Sequence, residues 1–182
     1  MDPLEISIQV RQKKFLGKLL FLFLIGFYTI TTSAQSTAES YPKINGYIGI
    51  LHPIVTFSSQ ETTTNFKDYY LVAVPMGINI WKTNKIGFSF EVTPSIKSDN
   101  QISKVSNLLI HPGILVKLNK DFTFTGRIAF ETSGRYGFTP VITKIIKRNK
   151  STNFYVSLPM PVRFGNDMAN TISLGLQFGI GF

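Results

Sequence analysis

The stretch from Ile172 to Phe182 reads ISLGLQFGIGF. Large apolar residues (Ile172, Leu174, Leu176, Phe178, Ile180, Phe182) alternate without a break with Ser173, Gly175, Gln177, Gly179 and Gly181. Strict period two puts the two sets on opposite faces of one β-strand. The apolar face must meet an apolar surface, and the nearly bare face suits a crowded one. Few folds satisfy both demands.

The same period recurs along the chain. YYLVAVPMGINIW aligns Tyr70, Val72, Val74, Met76, Ile78 and Ile80. IGFSFEVTPSIK aligns Ile86, Phe88, Phe90, Val92 and Ile96 against Ser89, Glu91, Thr93, Ser95 and Lys97. NLLIHPGILVKL, FTFTGRIAFE, RYGFTPVITK and FYVSLPMPVRF repeat the pattern. GYIGILHPIVTF keeps phase through Ile48 and Ile50, then blurs around His52 and Pro53. With the last strand these make eight segments. An even number of segments about ten residues long, separated by turn residues, is the signature of a transmembrane β-barrel. Eleven residues at about 3.3 Å each span roughly 36 Å. Tilted by about 40°, they cover roughly 28 Å, close to an apolar band of about 25 Å. KTNK (82–85) and NKD (119–121) read as short turns at one end, and the tight TSG (132–134) as a turn closing on a left-handed glycine. SSQETTTNFKD, SDNQISK and GNDMANT read as loops at the other end.

The residue types decide which face is out. Facing the apolar set inward would crowd a narrow barrel with large aromatics. It would also set Arg127, Glu131 and Arg163 in hydrocarbon, at a few kcal/mol for each arginine near the midplane. The expected fold is therefore all-β: an eight-stranded, antiparallel, up-and-down transmembrane barrel with its apolar face to lipid and a lumen filled by polar side chains.

The N-terminal region stands apart. Arg11, Lys13, Lys14 and Lys18 precede the apolar run Leu19 to Ile30, and TTSAQS follows. A basic segment, an apolar core and small residues describe a cleaved secretory signal peptide. The run is too short for a membrane anchor, which needs roughly 17–25 apolar residues. Cleavage is expected after Ala34, giving a signal over 1–34, a short tail over 35–43 and the barrel over 44–182. Export costs the chain four basic and two acidic residues, taking its net charge from +9 to +7. The chain has no cysteine, which excludes disulfides, thiolate metal sites, a cysteine nucleophile and a lipidated N-terminal cysteine.

On its closing strand the chain resembles the outer-membrane β-barrel proteins of Gram-negative bacteria, most nearly their small OmpA- and OmpX-like eight-stranded members. Their last strand typically ends in an aromatic residue preceded by apolar residues at alternating positions. Leu174, Leu176, Phe178, Ile180 and Phe182 match that pattern. The resemblance implies an outer-membrane location and recognition of this strand by the barrel assembly machinery.

Glu91, His111, Arg127, Glu131, Arg135 and Arg163 fall on the inward phase, with Lys117. Two readings attach to this set: a polar path or ligand site, or an internal ion network filling a barrel barely wide enough for its own side chains. If Ser133 centres its turn, Glu131 lies opposite Arg135 as a cross-strand pair. His52 and His111, lacking a clustered carboxylate in the sequence, make a poor metal site, and no cofactor motif appears. A histidine, a serine and a carboxylate brought together by the fold would favour a lipid-modifying enzyme.

Prolines recur in six strands, although proline cannot donate to the β-ladder. They imply bulges or, at Pro75, Pro112, Pro159 and Pro161, a lateral opening for an apolar molecule. The turns at one end carry Lys82, Lys85, Lys120, Lys147, Arg148 and Lys150 against Asp121. Such turns suit either anionic phospholipid headgroups or plain solvent. No nucleic-acid motif is present. The expected role is structural or surface-interacting with a largely plugged lumen. A narrow porin, a lipid-access transporter and a lipid-modifying enzyme are the alternatives, and outer-membrane lipids are the expected partners.

Overall fold

The computed structural model describes residues 40–67, 70–99 and 102–182; the expected signal peptide and most of the expected tail lie outside them. Eleven strands form one antiparallel sheet: β1 (Lys43–Ser58), β2 (Thr62–Thr64), β3 (Tyr70–Ala73), β4 (Met76–Trp81), β5 (Ile86–Asp99), β6 (Ile102–Lys117), β7 (Phe122–Glu131), β8 (Tyr136–Arg148), β9 (Asn153–Pro159), β10 (Val162–Phe164) and β11 (Thr171–Gly181). β3 and β4 share one place in the wall, each pairing with β1 and β5. β9 and β10 share another, each pairing with β8 and β11. The eight wall positions run up and down in chain order.

β11 pairs with β1 from Tyr47↔Gly181 to Ser58↔Thr171, so the sheet returns to its first strand. The glycines of β11 face the interior, where side chains from its two neighbouring strands, β1 and β9, lean over them. A Cβ on Gly175 would lie 2.9 Å from Leu51 Cδ1 and 3.2 Å from Pro159 Cγ. One on Gly179 would overlap the Tyr155 ring. The bare face of the closing strand is thus the space into which Leu51, Tyr155 and Pro159 pack.

Pro53 explains where the first segment loses its period. It contributes no N–H to the ladder, and the register between β1 and β11 shifts between Pro53 and Val55. Ile54 is the extra residue of a bulge. Ile48 and Ile50 point outward before it and Phe57 after it, so the outward phase changes from even to odd. Thr56 thereby turns in and bonds Ser173 Oγ at 2.9 Å.

Two segments read as loops are partly strand. Within SSQETTTNFKD, β2 folds back onto Val55–Phe57, and Ser58 Oγ accepts the Glu61 N–H at 3.0 Å to make the turn. In SDNQISK, β5 and β6 stay paired out to Asp99↔Ile102, and the β5–β6 turn itself falls outside the described residues. Thr and Ser tracts pair as readily as they loop once a neighbouring strand edge is available. The turn at Gly134 has the expected left-handed backbone, φ 85°.

The burial pattern is inverted relative to a water-soluble fold. Among the described residues, 29 large apolar side chains are exposed and, prolines and glycines aside, only seven apolar or aromatic residues are buried. Buried instead are Ser89, Glu91, Thr93, His111, Thr125, Arg127, Thr139, Ser157, Arg163 and Gln177.

Candidate functional site

The interior polar network is centred on Glu91 of β5, which is 4% exposed. Its Oε2 accepts the Tyr47 hydroxyl at 2.9 Å and lies 3.4 Å from Arg127 Nη2. Its Oε1 accepts the Thr93 hydroxyl at 3.2 Å and sits 3.0 Å from His111 Nδ1. Arg127 Nη2 also donates to Tyr47 Oη at 2.9 Å and to Ser89 Oγ at 3.1 Å. Tyr47 comes from β1 and Arg127 from β7, so these bonds cross the interior rather than follow the wall.

A second cluster meets the first through His111. Its Nε2 is 3.0 Å from Thr139 Oγ1. Arg163 Nη1 donates to the same hydroxyl oxygen at 3.0 Å, and Arg163 Nε donates to Glu131 Oε1 at 2.6 Å. A carboxylate only accepts, so His111 Nδ1 carries the proton that faces Glu91, and Nε2 accepts from the Thr139 hydroxyl. Two carboxylates and two guanidiniums then balance inside the wall. Buried charges persist when paired and hydrogen-bonded in this way.

The sequence assigns Glu91, His111, Arg127, Glu131 and Arg163 to one face; in the fold Glu91 contacts His111 and Arg127, and Arg163 contacts Glu131. Two details differ. The Glu131 side chain pairs with Arg163, although the Glu131 N–H does bond Arg135 O across the turn. Arg135 Nη2 donates instead to the Arg163 and Ala169 carbonyls, at 3.2 and 2.9 Å, near the rim. Arg163 reaches Glu131 from β10 through Nε alone, while its Nη1 donates to Thr139 Oγ1 and to the Phe138 and Val162 carbonyls. Lys117, inward by phase, is exposed at the end of β6, with Nζ 5.1 Å from the Trp81 ring centre. Tyr47 and Thr139 also belong to the network. Both fall on the inward phase of their strands, and that phase was the signal available.

Glu91, His111 and Thr139 form a carboxylate–imidazole–hydroxyl relay, with threonine in place of the serine that the enzyme alternative calls for. Its surroundings do not suit acyl transfer. Thr139 is 2% exposed, and its hydroxyl is held by Arg163. The adjoining cavity, lined by Leu51, Leu109, Val141, Pro159, Pro161 and Gln177 among others, has a volume of about 40 Å³. That admits a few waters at roughly 10–15 Å³ each, whereas ligand pockets run to roughly 300–1,000 Å³. Among the described residues no group of three or more His, Asp or Glu converges as a metal site.

The strand prolines are built into the wall. Pro75 and Pro159 turn their rings inward and are buried. At the break between β3 and β4, Gly49 N–H bonds Pro75 O and Val74 N–H bonds Pro94 O. At the break between β9 and β10, Met160 N–H bonds Pro140 O and Ser173 N–H bonds Pro161 O. Pro112 stands opposite Phe90 within continuous pairing on the β5 side, while the β6–β7 pairing passes from Ile110↔Phe130 to Gly113↔Arg127 without it.

No protein-family model matches the chain, and no curated protein matches it. Among solved structures it is similar to the de novo designed protein TMB2.3, solved by solution NMR, with 10% identity, TM-score 0.45, 78% of this chain and 93% of that one covered. A de novo designed transmembrane β-barrel aligns with 10% identity and TM-score 0.41, over 78% of this chain and 99% of that one. Likeness this distant adds nothing to what the strand pairing shows by itself.

Proposed function

We propose that this chain is an integral outer-membrane β-barrel of a Gram-negative bacterium, exported by its N-terminal signal, with a structural or surface-interaction role and a plugged lumen. The observation that carries the reading is the inverted burial. An exposed belt including Ile50, Ile114, Ile128 and Phe178 surrounds a buried Glu–Arg–His network. Water-soluble monomers rarely expose contiguous apolar patches beyond a few hundred Å². In lipid, a spanning sheet must satisfy every backbone group, which the return of β11 to β1 would accomplish. Leu174, Leu176, Phe178, Ile180 and Phe182 lie on the outward phase of β11, where assembly machinery would read them.

The plug is tested by single-channel recording of the mature protein refolded into a bilayer, with folding checked by heat-dependent gel mobility. A folded, silent barrel is the expected result, because two Arg–Glu pairs block the interior. Discrete conductance steps would overturn the plug and move the chain to the narrow-porin reading.

Lateral access has one supporting observation. Register pairing between the β9–β10 wall position and β11 stops at Ser157↔Gln177 and resumes at Val162↔Ile172. Pro159 and Pro161 lie in that interval and also line the cavity. Replacing both with alanine should abolish any uptake of an apolar probe while leaving the heat-shifted band intact; unchanged uptake would sink this reading.

A further inference from the structure

Charge divides unevenly between the two ends of the ring. One end gathers Lys43, Lys82, Lys85, Lys117, Lys120, Lys144, Lys147, Arg148 and Lys150, all exposed. Cross-strand contacts link these positions around the wall: Lys43 stands opposite Trp81, the Lys117 N–H bonds Lys85 O, and Arg148 reaches Lys120 O. Asp121 is the one carboxylate side chain there among the described residues, and Arg148 already pairs with it at 3.1 Å. Among the described residues the other end sets the exposed Lys67 and Lys104 against the exposed Glu61 and Asp167. Solvated turns would need no such asymmetry.

A second observation fixes the height of the collar. Lys144 Nζ lies 5.5 Å from the Phe122 ring centre and Lys117 Nζ 5.1 Å from the Trp81 ring centre. Trp81 is itself held by a 3.1 Å bond from Nε1 to Asn45 Oδ1. Aromatic rings mark the boundary between hydrocarbon and headgroups in membrane barrels. Long lysine stems lie along apolar surface while their ammonium groups reach for the polar layer. The cations are therefore stationed at phosphate depth.

We infer that this basic end is a docking collar for the phosphate headgroups of anionic phospholipid in the leaflet that it faces. The inference rests on the membrane reading above and adds to it a preferred lipid and an orientation. An anionic leaflet attracts such basic segments over about a Debye length.

The chain supplies its own reporter, because Trp81 is its single tryptophan and stands within the collar. The full mature barrel is refolded into mixed bilayers holding equal fractions of phosphatidylglycerol and phosphatidylcholine, with bromine on the acyl chains of one or the other. Brominated phosphatidylglycerol is expected to quench Trp81 several-fold more effectively. The excess should fade in about 1 M salt, where the Debye length is about 3 Å. It should also fade in Lys120→Gln/Lys144→Gln/Lys147→Gln, but persist in Lys67→Gln/Lys104→Gln at the opposite end. Equal quenching by the two lipids overturns the collar while leaving the membrane reading intact. Excess quenching that salt does not diminish overturns it as well. Stronger quenching by brominated lipid A than by phosphatidylglycerol would assign the end to the other leaflet and overturn it too. A chain that yields no heat-shifted band overturns both readings at once. If the triple variant fails to fold, the salt titration of the unaltered chain decides.

Discussion

Glu91→Ala is expected to lower the barrel's stability by about 3–5 kcal/mol, the usual cost of breaking a buried ion pair by removing one partner. The loss arises from what remains. Arg127, 7% exposed, keeps its charge with no carboxylate near, and Tyr47, Thr93 and His111 lose their common acceptor. Equilibrium unfolding in urea, with the protein in lipid vesicles, measures the difference. Glu91→Gln separates charge from shape, since it keeps an acceptor oxygen and the side-chain volume. It should cost less than alanine and still leave Arg127 uncompensated. A loss under about 1 kcal/mol for Glu91→Ala, the scale of an ordinary hydrogen bond, would show that Glu91 does not organise the interior.

The same residue shows how far the sequence could be read. Alternation assigns Glu91, His111, Arg127 and Arg163 to one face, because period two is a local property that neighbouring residues reveal. It says nothing of height. Strands in a tilted sheet are staggered, so which inward residue meets which depends on registers set by turns and bulges elsewhere. Glu91 and His111 are direct partners across the β5–β6 hairpin, but SDNQISK reads as a loop and a register shift falls between Ser95 and Ile96, so the pairing could not be counted out from the turn. Glu131 with Arg163, and Thr139 with His111, join strands two places apart in the wall, so each depends on two registers at once. The bulge at Ile54 was visible only as a blur, since one extra residue reverses the outward phase without changing composition. β2 was hidden for a different reason. Its three threonines favour strand, but they pair only because β1 extends to Ser58 and leaves an edge to cover.

The outward face carries the largest claim and admits the most direct test, Ile128→Arg. Ile128 is 57% exposed, lies opposite Phe138, and sits just above the middle of β7. On a water-soluble barrel, arginine at so open a position would change stability by no more than about 0.5 kcal/mol, as surface substitutions usually do. On a lipid-facing wall it should cost about 2–4 kcal/mol near the midplane and progressively less toward either boundary. A series along the strand therefore separates the two worlds by its slope as well as its size. Arginine at Ile128 should be the most damaging, and arginine at Phe130, one outward position nearer the rim, should be milder because the guanidinium can reach the headgroups. Vesicle-embedded unfolding midpoints measure both. A flat series with values near zero would mean that the exposed belt of isoleucine and phenylalanine faces water or another protein, and the membrane reading would fall with it.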